Sequence, residues 1–311
     1  MSHNLFLGMY TFAIKQFNTS NSDKVEVNQF LSEAYPNKEP KFSKGFVQDI
    51  INLLEEKAFK NTRNTHGATL ADKSLNNESR ILDLLIDGGL TGIKQFIIDE
   101  SGNSEPLSDS DIIGPKFYCR IWLPAKSYNG YLFIQKYGSL SIKPIFDDIL
   151  KKVLKRHNFN LINSSIQPTT TKARMKKFYK YSTLRDVIVV SNQSSNSTGP
   201  AKASSAVLRL NNFQSIGNKQ IDRATINAAM QEHGFSMGNR HYQIKATYEN
   251  KSEDFKEERT VILDSSDETI NVIPNIRIPK DCIDKDNYPD FQKMKAFVDQ
   301  EMLQVKLEAK L

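Results

Sequence analysis

The strongest constraint on the fold is a periodic one. Ile145, Phe146, Ile149, Leu150, Val153 and Leu154 recur at three- and four-residue intervals behind Pro144. That spacing lays one apolar stripe along a helix, and the stripe requires a core to face. Pro289 opens a second pattern of this kind, Phe291, Met294, Val298, Met302 and Val305. Elsewhere the apolar runs are short and rich in β-branched and aromatic residues: 5–17, 81–86, 93–98, 117–123, 131–135, 187–190, 206–210, 242–248, 260–263 and 270–278. Regular βαβ alternations are few. The pattern predicts an α+β fold, with mainly antiparallel sheet hairpins, packed helices and a C-terminal amphipathic helix.

Two hairpins can be placed. Asp87-Gly88-Gly89 separates 81–86 from 93–98, where two glycines suit the positive φ of a tight turn. The runs 117–123 and 131–135 form another antiparallel pair. A helix is expected from Ser43 through Phe46, Ile50, Ile51, Leu53 and Leu54, and another over 222–233, while the polar stretch 99–111 is a loop or boundary. At 311 residues the chain exceeds one ordinary core of roughly 100 to 200 residues. The expected division is an N-terminal α+β domain over 1–190, a Ser/Asn-rich linker or loop over 191–204, and a C-terminal α+β domain over 205–311.

Charge is distributed unevenly. Between Ile149 and Ile221 stand thirteen Lys or Arg residues and one carboxylate, Asp186, on a chain whose total is only +6, so the remainder is net acidic. A concentrated positive field suits a polyanion, because each neutralised phosphate releases condensed counterions. The segment has two parts. Lys151 and Lys155 fall at i,i+4 spacing from Asp147, and Lys152 and Arg156 from Asp148, which is the arrangement of a solvated, ion-paired helix face. Lys172, Arg174, Lys176, Lys177 and Lys180, followed by Arg185, have no acidic neighbour before Asp186 and are interleaved with Phe178, Tyr179 and Tyr181. Basic side chains supply phosphate contacts, and an adjacent ring can stack on an unpaired base. Phe178 and Tyr181 are expected in the core and Tyr179 on the surface.

The chain is therefore read as a non-enzymatic DNA-binding protein contacting the phosphate backbone through these eleven residues, with DNA favoured over RNA. Its Lys/Asn/Ser-rich, motif-poor make-up is similar to that of accessory proteins of bacterial mobile elements and antiviral defence loci, which implies a sensor or accessory role. Two alternatives stand beside it. A metal-dependent nuclease would use Glu249 and Lys251 with Asp222 or Asp264 as a distant carboxylate. A protein-interaction subunit would set the basic residues against an acidic partner.

Several chemistries have no sequence support. The histidines are scattered, with no zinc-ligand spacing, and no GxGxxG, GxxxxGK[ST] or GxSxG pattern occurs, so neither metal nor cofactor is expected. The N-terminus lacks the basic region and cleavage site of a signal peptide, and no apolar run approaches membrane-spanning length, so cytoplasm is the default location. Cys119 and Cys282 are expected as reduced structural thiols. The apolar face of the last helix is expected to pack on the protein's own core, with a homodimer contact as its alternative use.

Overall fold

The computed structural model describes residues 5–55, 58–92, 96–108, 111–192, 205–211, 228, 231–232, 242–250, 257–263 and 273–311. The fold is α+β with mostly antiparallel sheet. The chain divides into two compact units, one formed by residues 1–169 with 276–311 and the other by residues 170–275.

The strands of the first unit are β1 (Leu5–Gln16), β2 (Lys24–Val25), β3 (Phe59–Lys60), β4 (His66–Asn76), β5 (Ile81–Leu90), β6 (Phe96–Ile98), β7 (Ser104–Pro106), β8 (Lys116–Trp122), β9 (Asn129–Tyr137), β10 (Phe159–Leu161) and β11 (Gln167–Pro168). The main sheet runs β10-β1-β9-β8-β5-β4-β3, with β2, β11 and a short strand at Ile276–Arg277 also on β1. β6 and β7 form a hairpin of their own. Side chains alternate between two cores, as the two-residue period of a strand demands. Phe117, Cys119 and Ile121 of β8, with Leu132 and Ile134 of β9, face one core, while Tyr118 and Trp122, with Tyr131 and Phe133, face the other.

Helices cover both faces. On the first lie α1 (Val27–Ala34), α2 (Gln48–Glu55), entered through a π-helical turn at Phe42–Val47, and α3 (Lys143–Arg156). All six apolar residues of the expected α3 stripe are buried. The C-terminal helix, Phe291–Ala309, covers the second face through Met294, Val298, Met302 and Val305. That face packs on its own unit. Asp290, one residue after the expected opening at Pro289, caps the helix by accepting from the backbone N–H groups of Gln292 and Lys293 at 3.1 and 3.0 Å.

A buried ionic network ties this helix to the sheet. Arg120, 1% exposed, stands directly opposite Asp83 on the neighbouring strand. Its Nε and Nη2 donate to the two Asp83 oxygens at 2.6 and 3.3 Å, its Nη1 to Asp299 at 2.5 Å, and its Nη2 also to the Lys295 carbonyl at 3.3 Å. Tyr118 donates its hydroxyl to Asp83. Burial opposes a charged guanidinium, but Tyr118, Asp83 and Asp299 more than offset it and hold Arg120 firmly protonated. Cys119 and Cys282 are both free and buried, and burial pushes the Cys282 thiol up to about 11.

The hairpin expected at Asp87-Gly88-Gly89 does not form. β5 runs straight through both glycines to Leu90, pairing with β8 on one side and with the unforeseen β4 on the other. The reason is close backbone approach. A Cβ on Gly89 would stand 2.0 Å from the Ile113 carbonyl oxygen, and one on Gly114 would stand 2.1 Å from that of Gly88. The glycines admit a crossing chain instead of turning their own.

In the second unit, α4 (Lys172–Tyr181) precedes a four-stranded antiparallel sheet of β12 (Ser182–Asn192), β13 (Ser205–Asn211), β14 (Tyr242–Asn250) and β15 (Glu257–Leu263), in the order β13-β12-β14-β15. The expected linker falls mainly on 193–204, outside the described residues. Asn192 stands opposite Ser205 in the β12–β13 ladder, so the residues flanking it belong to one sheet. The compact units separate at 169/170 and 275/276. Of the helix expected over 222–233 only 228, 231 and 232 are described, and they are helical. Of the strand expected over 270–278, residues 270–272 lie outside the described residues, and within 273–278 only Ile276–Arg277 is strand.

Candidate nucleic-acid interface

The basic segment is continuous in sequence but divided between the units. Lys151, Lys152, Lys155 and Arg156 belong to the first, and Lys172 through Arg185 to the second.

On α3 the two carboxylates, Asp147 and Asp148, are absorbed into local structure. Lys152 and Lys155 are exposed and Lys151 half-buried, and the Lys152 ammonium lies 4.4 Å from the Phe59 ring centroid. The i,i+4 pairs from Asp147 and Asp148 to the later lysines give way to other partners. Asp147 pairs backwards with Lys143 at 2.5 Å and accepts from the Ile166 backbone N–H at 2.7 Å, while Asp148 accepts from the Thr62 N–H at 2.6 Å. Backbone donors that must be satisfied on folding outweigh solvated lysines, whose exposed pairs contribute at most about 1 kcal/mol.

Arg156 and His157, at the C-terminal end of α3, both approach Asp49 of α2, at 3.9 and 3.1 Å. The buried Tyr35 hydroxyl donates to the same carboxylate at 2.8 Å. Burial first, and then that bond and the Asp49 charge, raise the Tyr35 phenol far above its ordinary value. This end of α3 is a packed polar corner.

On α4 the balance is different. Thr171 caps the helix by accepting from the Arg174 N–H at 3.2 Å, and at the other end the buried Ser182 hydroxyl donates to the Phe178 carbonyl at 2.7 Å. Phe178 is the one fully buried side chain of this helix. It meets Tyr248 of β14 edge to face at 6.0 Å. Lys172, Lys176, Lys177 and Lys180 are exposed and Arg174 is half-buried. Lys172, Lys176 and Lys180 follow one another at i,i+4, so they form a row about 12 Å long on one side of the helix. Arg185 falls at a β-bulge in β12, between Leu184 opposite Tyr248 and Asp186 opposite Thr247. Its side chain lies outside the described residues.

The two tyrosines exchange their expected roles. Tyr179 is half-buried, with its ring 5.7 Å from that of Tyr248 and 5.8 Å from that of Phe178. Tyr181, expected in the core, is 46% exposed, and the Lys180 ammonium lies 5.2 Å from its ring centroid. The helix itself was not legible as an apolar pattern, since a single buried ring makes no stripe. The signal that could have found it is Thr171 as a cap ahead of ten residues free of Gly and Pro.

Of the nuclease candidates, Glu249 lies near the end of β14, opposite Thr183 and Glu258. Lys251, Asp222 and Asp264 lie outside the described residues. Among the described residues no group of three His, Cys, Asp or Glu side chains is placed to hold a metal ion, and no helix is long and apolar enough to cross a membrane. Comparison with known proteins finds no match to a family model, to a curated protein or to a solved structure.

Proposed function

We propose that the chain is a non-enzymatic DNA-binding protein, acting as an accessory or sensor component, that contacts the phosphate backbone through α4. One observation carries the reading: a ten-residue helix that buries Phe178 and carries four exposed lysines, Lys172, Lys176, Lys177 and Lys180. Apolar burial does not explain such a composition. Lysine at the first helical turn opposes the helix dipole, and like charges at i,i+4 each cost a few tenths of a kcal/mol. A polyanion lying along the row reverses the sign of both effects. Arg174 lies within the same row in sequence and Arg185 follows it, while Lys151, Lys152, Lys155 and Arg156 are secondary to it because the apolar stripe of α3 accounts for the helix that carries them.

Phosphate contacts carry no base information, so binding is expected to be salt-sensitive and only weakly sequence-dependent. The test is DNA affinity across a salt series for the wild type and for the Lys172→Glu/Lys176→Glu/Lys177→Glu/Lys180→Glu variant. Loss of four phosphate contacts should flatten the log–log salt slope by about four units and weaken binding at low salt. A folded variant that retains full affinity at low salt would end the proposal.

A further inference from the structure

Resting on the reading above, we infer that this site takes single-stranded DNA, with Tyr181 as its base-stacking platform. Tyr181 is the last residue of α4 and is 46% exposed. Lys177 precedes it by one helical turn, placing an ammonium group on the same side. Lys180 lies over the ring at 5.2 Å. A flat, accessible π surface therefore adjoins two exposed lysine side chains. Those are the two elements that bind unpaired nucleotides, the ring stacking on the base and the cations meeting the phosphates. An arriving base displaces the Lys180 chain from the ring, and its ammonium remains within reach of that nucleotide's phosphate.

A duplex cannot use this arrangement. Its bases are stacked on one another, and to offer a face to Tyr181 one must be unpaired and unstacked at a cost of a few kcal/mol. The lysine row serves either form, so the ring is what discriminates. Tyr179 does not compete for the role, because Tyr248 and Phe178 occupy its surroundings.

The experiment measures fluorescence anisotropy of a labelled twenty-residue thymidine oligonucleotide and of the corresponding duplex, with the full chain, across salt. The single strand is expected to bind more tightly. Tyr181→Ala should weaken it by about 5- to 150-fold while leaving duplex affinity within about twofold, and Tyr181→Phe should retain wild-type behaviour. The salt slope separates stacking from charge. Tyr181→Ala should leave it unchanged, whereas Lys177→Gln should reduce the single-strand slope by about 0.7. Tyr181→Leu, which keeps apolar bulk but lacks the flat ring, should behave as Tyr181→Ala and guards against a folding artefact. Equal affinity for both DNA forms, or equal loss on both in Tyr181→Ala, overturns the single-strand assignment while α4 stays a phosphate-binding helix. Binding of neither form overturns that underlying reading as well.

Discussion

α3 and α4 are both helices with clustered basic side chains, and they are built on opposite principles. α3 buries Ile145, Phe146, Ile149, Leu150, Val153 and Leu154, and its polar groups answer local needs at Thr62, Ile166 and Asp49. α4 buries Phe178 and carries five basic residues in ten. Each helix carries five basic residues, so a count of basic side chains does not by itself identify a binding surface. The useful quantity is how much of the helix the protein's own core explains. α3 buries a six-residue apolar stripe, whereas α4 fully buries one ring, with Tyr179 half-buried beside it.

The largest effect that would sharpen this contrast is on stability. Phe146→Ala removes a fully buried ring from the α3 stripe and should cost about 3–5 kcal/mol in denaturant unfolding. A loss below about 1 kcal/mol would mean that α3 is not held by its core. Next comes charge reversal on α3. Lys151→Glu/Lys152→Glu/Lys155→Glu should change the salt slope of DNA binding by less than about one unit, against about four for the α4 variant. Slopes altered equally by the two sets would erase the distinction.

The smallest effect concerns the polar corner at the end of α3. Tyr35→Phe removes the bond to Asp49 and should cost about 1 kcal/mol at neutral pH in thermal denaturation. It also changes the pH dependence. Because the folded-state phenol is held above its unfolded value of about 10, its contribution is full below that pH and declines as pH rises beyond it. Tyr35→Phe should therefore lose stability less steeply above pH 10. An identical alkaline decline in both proteins would remove Tyr35 from that role.

Legibility followed the strength of the apolar signal. α3, the C-terminal helix and the β8–β9 pair were foreseen because each buries a regular set of large side chains that imposes its period on the sequence. β4 was not. Of its eleven residues only Gly67 and Ala68 are buried, which is too little to produce an alternating pattern. α4 escaped for the same reason. The site was legible as a group of residues and illegible as a surface. The eleven basic and aromatic candidates could be named, but their partition between two units and the exchange of Tyr179 with Tyr181 could not.

Periodicity and charge are local properties, and the chain determined both by itself: two amphipathic helices, an antiparallel α+β class, and a basic segment with a single carboxylate. Tertiary structure decided whatever depends on residues distant in sequence. Only the Ile113–Gly114 crossing explains why Gly88 and Gly89 continue a strand instead of turning it, and only the backbone donors of Thr62 and Ile166 explain why Asp148 and Asp147 turn from the lysines that follow them. Tyr181 follows the same rule. Whether a ring at a helix end is buried or exposed depends on what packs beside it, and Tyr248, sixty-seven residues further along the chain, packs against Phe178 and Tyr179.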